Sequence, residues 1–403
     1  MIKLADRMAG VHSDIRGPLY REALRMQQQG IDVMKLNTGN PGAFGFPLPE
    51  SIRTAMEGRA AEGVPYCDFR GMPAARQAIA DYCTAKGMED IDPDDVFIGN
   101  GVSEVVNFAL LPLLNPGDEV LVPMPNYTLW SNTIRLCGAT PVYYRCDEAA
   151  DWNPDVDDLR RKITVRTRAM VIINPNNPTG ALYSRQVLHD MLEVARQNSL
   201  IVFSDEIYDR LVMDGLTHIS TASLAPDLVV VTMNGLSKSH CLCGYRCGWM
   251  VLSGPRQQRE AYRDGIVQLT SMRLCANALA QLAIPAALAD MDTPHSMVSP
   301  GGRMYEQRAA TLEVLDQIPG ISYVKNRAAF YLFPKLDVHR FGITDDHRFA
   351  EDLLHATRIL VVPGSGFDCT DPCHFRLVML PEADQLRDAM GRMGKFLETY
   401  RQR

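Results

Sequence analysis

The sequence contains no run approaching the ~20 uninterrupted apolar residues that cross a bilayer. Its first residues, MIKLADRMAGVHSDIRG, carry scattered charges and no apolar core, so no secretory signal is expected. Basic residues are not in excess: 41 Lys and Arg stand against 48 Asp and Glu, for a net charge of −7. That excludes a protein that works by neutralising nucleic-acid phosphates. Neither GxxxxGKS/T nor GxGxxG occurs, which removes the two commonest nucleotide-binding signatures. Repeats, low-complexity tracts and long linkers are also missing. The cytoplasm is the expected compartment, and thiols there stay reduced. Among the ten cysteines, Cys241, Cys243 and Cys247 cluster. With no CxxC pair or Cys/His quartet beside them they read as packing residues, and no metal is expected.

What is present is a chain of 403 residues, 46% hydrophobic, long enough for two lobes. Its middle alternates short β-rich runs with helical patterns. Strands are expected at 96–99, 119–123, 141–144, 169–173, 200–204, 228–233 and 248–252, several of them apolar throughout. Val102, Val105, Val106, Ala109, Leu110 and Leu113 recur at helical spacing, as do Leu188, Met191, Leu192 and Ala195. This alternation predicts an α/β fold with a mostly parallel, doubly wound sheet. The last third, with strands at 328–333, 359–362 and 374–380 and a terminal helix, predicts a smaller α+β lobe. The expected division is an N-terminal arm at 1–48, a large domain at 49–295 and a small domain at 296–403.

Sites of open α/β sheets lie beyond the carboxyl ends of the strands. Four segments there carry chemistry. Gly99-Asn100-Gly101-Val102-Ser103 opens a helix, so it is either an ordinary βα turn or an anion site built from free amides and a hydroxyl. Asn174-Pro175-Asn176-Asn177-Pro178-Thr179-Gly180 is a rigid turn with more amides than a turn requires. Asp205, in Ser204-Asp205-Glu206-Ile207-Tyr208, is either a helix cap or a site carboxylate. Lys238, in Gly235-Leu236-Ser237-Lys238, is a surface lysine or a site amine, and Arg246 follows where a guanidinium could accompany a phosphate.

Together, NPNNPTG, SDEIY and GLSK…GxRxG in this order resemble the class I/II aminotransferases of fold type I, which use pyridoxal phosphate. The resemblance covers essentially the whole chain. DIRGPL, LNTGNPGAFGF, IGNGVSE, INPNNPTGA, SMRLCAN and SPGGRMYEQR are most similar to bacterial alanine (glutamate–pyruvate) aminotransferases. The resemblance implies that Lys238 bonds the cofactor covalently and moves the substrate proton. It implies that Asp205 pairs with the pyridine nitrogen, and that Tyr208 and Asn177 bond the phenolic oxygen. Gly101, Val102, Ser103, Ser237 and Arg246 would hold the phosphate, and Tyr127 would stack on the ring. Tyr66 would reach the phosphate of a second subunit, which implies a homodimer. Arg376 would grip the α-carboxylate of amino-acid and 2-oxo-acid substrates. Gly39 and Asn40 would close near the substrate, and Arg16 would meet a distal carboxylate.

Four positions depart from the pattern. Ser13 stands where those relatives have a tyrosine. Gly235 replaces a phosphate-binding serine, and Cys241 and Cys247 replace aliphatic residues. Other readings on the same resemblance are an aminotransferase for aromatic, branched-chain or specialised amino acids, a C–S β-lyase, and a ligand-sensing module. A thiol-based metal protein is the alternative outside it.

Overall fold

The computed structural model describes residues 2–402. The first nine strands are β1 Met34–Lys35, β2 Val96–Asn100, β3 Glu119–Met124, β4 Thr140–Asp147, β5 Asn153–Pro154, β6 Thr167–Ile173, β7 Ile201–Asp205, β8 Val230–Gly235 and β9 Cys247–Ser253. β2 to β9 form one eight-stranded sheet in the order β2-β9-β8-β7-β6-β3-β4-β5. Parallel pairing runs through β8, β7, β6, β3 and β4. β9 is antiparallel to both β2 and β8, and β5 is antiparallel to β4. The sheet is thus mostly parallel, as expected, with a reversed strand inside it.

The continuous apolar runs follow from burial on both faces. In β6, Met170 and Ile172 enter one core, while Ala169, Val171 and Ile173 enter another. Helices Pro73–Ala85 and Arg185–Gln197 cover the first face. Helices Val102–Leu110, Leu129–Leu136 and Arg256–Arg273 cover the second. Ser184 starts the helix Arg185–Gln197 by accepting the Val187 amide at 3.2 Å.

The remaining strands are short: β10 Ile321–Ser322, β11 Tyr331–Leu332, β12 Lys335–Leu336, β13 Ile359–Leu360, β14 Val362–Pro363 and β15 Phe375–Val378. β11, β15 and β14 make a three-stranded sheet, and β1 pairs in parallel with β13. Helices Arg303–Leu315 and Ala383–Thr399 cover this part, the latter opened by a capping box of Glu382 and Gln385. The expected strand at 328–333 contracts because Ala329 takes a left-handed conformation, φ 58°. The expected strand at 359–362 divides because the chain changes partner at Val361. Before it, Ile359 and Leu360 pair with β1; after it, Val362 and Pro363 pair with β15.

A buried ion cluster ties the first helix layer to the sheet. Lys86, which ends the helix Pro73–Ala85, donates to Asp209 Oδ2 at 2.7 Å and to Glu206 Oε2 at 3.1 Å. The other Glu206 oxygen accepts from Ser204 Oγ, Ser220 Oγ and the Thr221 amide at 2.9–3.1 Å. Burial by itself raises the Asp209 carboxyl, but Lys86, His218 and Tyr82 outweigh it and hold it well below the usual carboxylate range. Lys86→Met is therefore expected to destabilise the fold by about 3–5 kcal/mol at pH 7, because two buried carboxylates lose their cation. Urea unfolding of the variant checks this. A loss under about 1 kcal/mol would show the cluster to be hydrated instead.

Candidate active site

The carboxyl ends of β7 and β8 converge on one space. Asp205 is the last residue of β7 and is 3% exposed. Its Oδ2 accepts from Trp130 Nε1 at 3.2 Å and its Oδ1 from the Ile207 amide at 3.3 Å. No cation lies within 4.0 Å of it among the described residues. Burial pushes its pKa up to about 6, against the pull of the Trp130 hydrogen bond. Glu206 next to it points the other way, into the Lys86 cluster. Strand alternation thus separates two adjacent carboxylates into different environments.

Lys238 lies in the short helix Leu236–Ser239, just beyond β8. Its Nζ donates to Gly39 O at 2.7 Å, 3.9 Å from Cys243 Sγ and 5.9 Å from the centroid of the Phe330 ring. Burial lowers the Lys238 pKa, but Tyr331, Cys243 and Tyr127 outweigh it and the net direction is upward. Gly39 has no room for a side chain: a Cβ would lie 2.3 Å from Tyr331 Oη.

Arg376, in β15, is 1% exposed. Its Nη1 donates to Asn177 Oδ1 at 3.0 Å and its Nη2 to Asn37 O. The guanidinium lies 4.5 Å from the ring centroids of both Tyr331 and Phe367. Nε has no partner, and no carboxylate lies within 4.0 Å among the described residues. Burial lowers its pKa. A desolvated cation of this kind is a seat for an anion. Tyr208 also acts on the guanidinium, its hydroxyl 2.7 Å from that of Tyr331. Tyr127 is half-buried; burial raises its pKa, and Lys238, Tyr331, Arg376 and Asp205 all act on it, so it borders the same space.

A second seat lies at the start of the helix Val102–Leu110. Gly101 adopts φ 85°, and a Cβ there would lie 2.3 Å from Arg246 Nη2. A Cβ at Gly248 would lie 2.5 Å from the Val102 amide nitrogen. The amides of Val102 and Ser103 have no acceptor among the described residues. Arg246 is exposed and donates to Cys243 O at 3.1 Å. These groups form a glycine-walled anion cradle. Ser237 is buried, its carbonyl accepting from Cys243 Sγ at 3.0 Å. At Gly235 a Cβ would lie 2.6 Å from Cys247 O, so this backbone excludes a serine there.

The structure therefore brings Lys238, Asp205, Tyr208, Tyr127, Asn177, Gly39 and Arg376 around one space, with Gly101, Val102, Ser103 and Arg246 forming the cradle. Tyr66, 78% exposed, and Arg16, also exposed, lie at the surface. Arg16 is nonetheless tied to the site, because Ile15 O accepts from Asn37 Nδ2 at 2.7 Å. Asn40 starts a 3-10 turn beside Gly39. Of the clustered thiols, Cys243 is the one beside Lys238. Cys241 faces Met297 Sδ at 3.8 Å, and Cys247 is buried. Sequence reasoning missed Tyr331, Trp130 and Asn37. Tyr331 sat in a run read only as a strand, and Trp130 and Asn37 stood beside residues that were singled out.

Comparison with known proteins places the chain in a family. The family described as "Aminotransferase class I and II" matches residues 31–393. The chain is 47% identical over 398 residues to "Glutamate-pyruvate aminotransferase AlaA" of Haemophilus influenzae, covering 99% of this chain and 98% of that one. It is 44% identical to "Alanine aminotransferase" of Mycobacterium tuberculosis, covering 98% and 92%. Among solved structures, an aminotransferase from Escherichia coli superposes with a TM-score of 0.98 at 46% identity over 100% of both chains. An alanine aminotransferase from Pyrococcus furiosus gives 0.93 at 39%, covering 98% and 100%.

The Asp205 environment predicts a pH effect on the cofactor-free protein. Burial penalises the ionised form, so its contribution to stability falls as pH rises from ~4 through about 6. Asp205→Asn should then be more stable than wild type by on the order of 2–3 kcal/mol above pH 7 and equal to it near pH 4. Urea melts across that range measure the difference. A gap that does not change with pH would contradict the assignment.

Proposed function

The chain belongs to the class I and II aminotransferase family, and on that premise we propose that it exchanges an amino group between L-alanine and 2-oxoglutarate, giving pyruvate and L-glutamate, with pyridoxal phosphate as cofactor. The observation that carries this reading is the joining in one space of a half-buried amine, a buried carboxylate without a cation and a buried guanidinium without an anion. The residues fit the cofactor. The cradle of Gly101, Val102, Ser103 and Gly248 with Arg246 suits its phosphate. Asp205, buried and lacking a cation, suits its ring nitrogen. When bound, pyridoxal phosphate supplies an aldehyde carbon and an electron-withdrawing ring.

The protein's own part then divides by residue. Arg376 binds the α-carboxylate by its fork of donors, with Asn177 and Asn37 O fixing the plane of the fork. Lys238 Nζ, which must first lose the proton that Tyr331, Cys243 and Tyr127 favour in the cofactor-free site, would take the proton from the substrate Cα and later return one. Asp205 holds a proton at the ring nitrogen. Tyr208 and Asn177 offer donors to the phenolic oxygen, and Tyr127 covers the ring. Ser237 adds a hydroxyl at the phosphate. Arg16, on the arm before Asn37, meets the distal carboxylate of glutamate and is not needed for alanine.

A homodimer in the cytoplasm, with Tyr66 serving the neighbouring site, is part of this reading. Its support is an exposed apolar set, Val64, Tyr66, Met272 and Leu274, beside the segment where Gln281 Nε2 donates to Cys67 Sγ at 3.4 Å. We also propose that the arm (1–48) and C-terminal part (296–403) form the small domain against the large domain at 49–295.

Lys238→Ala is expected to abolish transamination and the absorbance of covalently bound cofactor. A variant that keeps both would refute the assignment. Arg376→Ala should lower kcat/KM about 10²- to 10³-fold for every amino acid. Arg16→Ala should weaken glutamate about 10- to 100-fold while sparing alanine. Equal losses for the two substrates would remove Arg16 from the specificity pocket. Activity without any oxo-acid acceptor would replace the transaminase reading with a lyase.

A further inference from the structure

The residues that lead into β15 carry chemistry the active site does not use. Residues 369–374 read Cys-Thr-Asp-Pro-Cys-His. Ligand atoms of Asp371, Cys373 and His374 all lie within 4.8 Å of one another. Cys373 Sγ donates to Asp371 Oδ1 at 2.9 Å and stands 3.6 Å from His374 Nδ1. Cys373 and His374 are buried, whereas Asp371 is exposed.

The imidazole of His374 is held in one orientation. It stacks on Phe333 at 5.0 Å, with 8° between the planes, and meets Trp152 edge-on at 5.4 Å. Its Nε2 faces Glu148 Oε2 at 3.5 Å, and Lys335 Nζ donates to the same oxygen at 2.8 Å. A proton on Nε2 suits Glu148 and leaves a lone pair on Nδ1, directed at Cys373. The single Cys373 proton is already given to Asp371. Sulfur, nitrogen and oxygen acceptors thus converge with one proton among them.

We propose that Asp371, Cys373 and His374 Nδ1 bind a divalent cation of borderline softness, of which zinc is the type. The 3.6 Å S–N separation matches the edge of about 3.5 Å expected around a tetrahedral ion with bonds of about 2.0–2.3 Å, whereas the 2.9 Å S–O contact is a thiol hydrogen bond that must open by about 0.6 Å, a shift the exposed Asp371 side chain has room to make. As the sulfur–metal bond forms, the Cys373 proton leaves to solvent, and no electron is transferred. The fourth position opens onto a surface cleft lined by Lys335, Asp337, Asp371 and Cys373. Nε2 has no hydrogen-bond partner as the structure stands, and Glu148 Oε2, 3.5 Å away, is the carboxylate placed to become the partner that metal-bound histidines commonly have.

The ion acts as a brace. His374 lies two residues before Arg376. Phe333, on which it stacks, meets Phe367 edge-on at 6.2 Å, and the Phe367 ring lies 4.5 Å from the Arg376 guanidinium. An ion there fixes the start of the strand that carries the substrate-carboxylate arginine.

The test uses the cofactor-loaded enzyme, stripped with a chelator, dialysed and titrated anaerobically with cobalt(II). The readout is the set of ligand-field bands of four-coordinate cobalt, at wavelengths longer than those the cofactor absorbs. One cobalt per chain, displaced by zinc, is expected. Cys373→Ser and Asp371→Asn should each weaken binding at least 10-fold. The Asp371 side chain is at the surface, so that variant folds even if Cys373→Ser does not. Glu148→Gln should weaken it about 10- to 100-fold, and Cys243→Ser should leave it unchanged. Absence of the bands in wild type, or bands that survive Cys373→Ser or vanish in Cys243→Ser, would overturn the site.

Discussion

A guanidinium buried to 1% exposure without a carboxylate is the constraint around which the rest is arranged. Such a charge persists in a fold only where other groups replace the water it lost. Four separate stretches do so for Arg376: Asn37 in the N-terminal arm, Asn177 in the loop after β6, Tyr331 in β11 and Phe367 in the turn after β14. None of them neutralises it. The fold therefore spends stability to hold a buried cation that no carboxylate among the described residues neutralises.

The neighbouring carboxylates show the same division of labour. Glu206 and Asp209 take Lys86, while Asp205 receives two neutral donors. Were Lys86 on the other face of the sheet, Asp205 would be paired within the chain and unavailable to a ligand. The side of the sheet from which each side chain leaves β7 decides which carboxylate is structural and which belongs to the site.

Much of this was legible before any coordinates. Runs such as 169–173 are apolar because both faces are covered, and that pattern identified the central strands, though not their order in the sheet. Lys238, Asp205, Asn177 and Arg376 stood after strands or in motifs whose order resembled a known family. Tyr331 was not legible, because an aromatic in a strand looks the same whether it fills a core or borders a site. Arg376 was singled out by the resemblance alone; its burial and missing anion are visible only in the structure. The length of the small strands was also hidden, since a left-handed Ala329 and a change of partner at Val361 depend on tertiary packing.

That change of partner has a mechanical meaning. Residues 359–363 bind the arm through β1 on one side and the Arg376 strand on the other, without a break in the chain. The arm that bears Arg16 and the clamp that bears Arg376 are thereby leaves on a single stem. A dicarboxylate gripped at both ends would be held by one rigid jaw, its length measured against a fixed gauge, while a monocarboxylate would touch only one tooth of it.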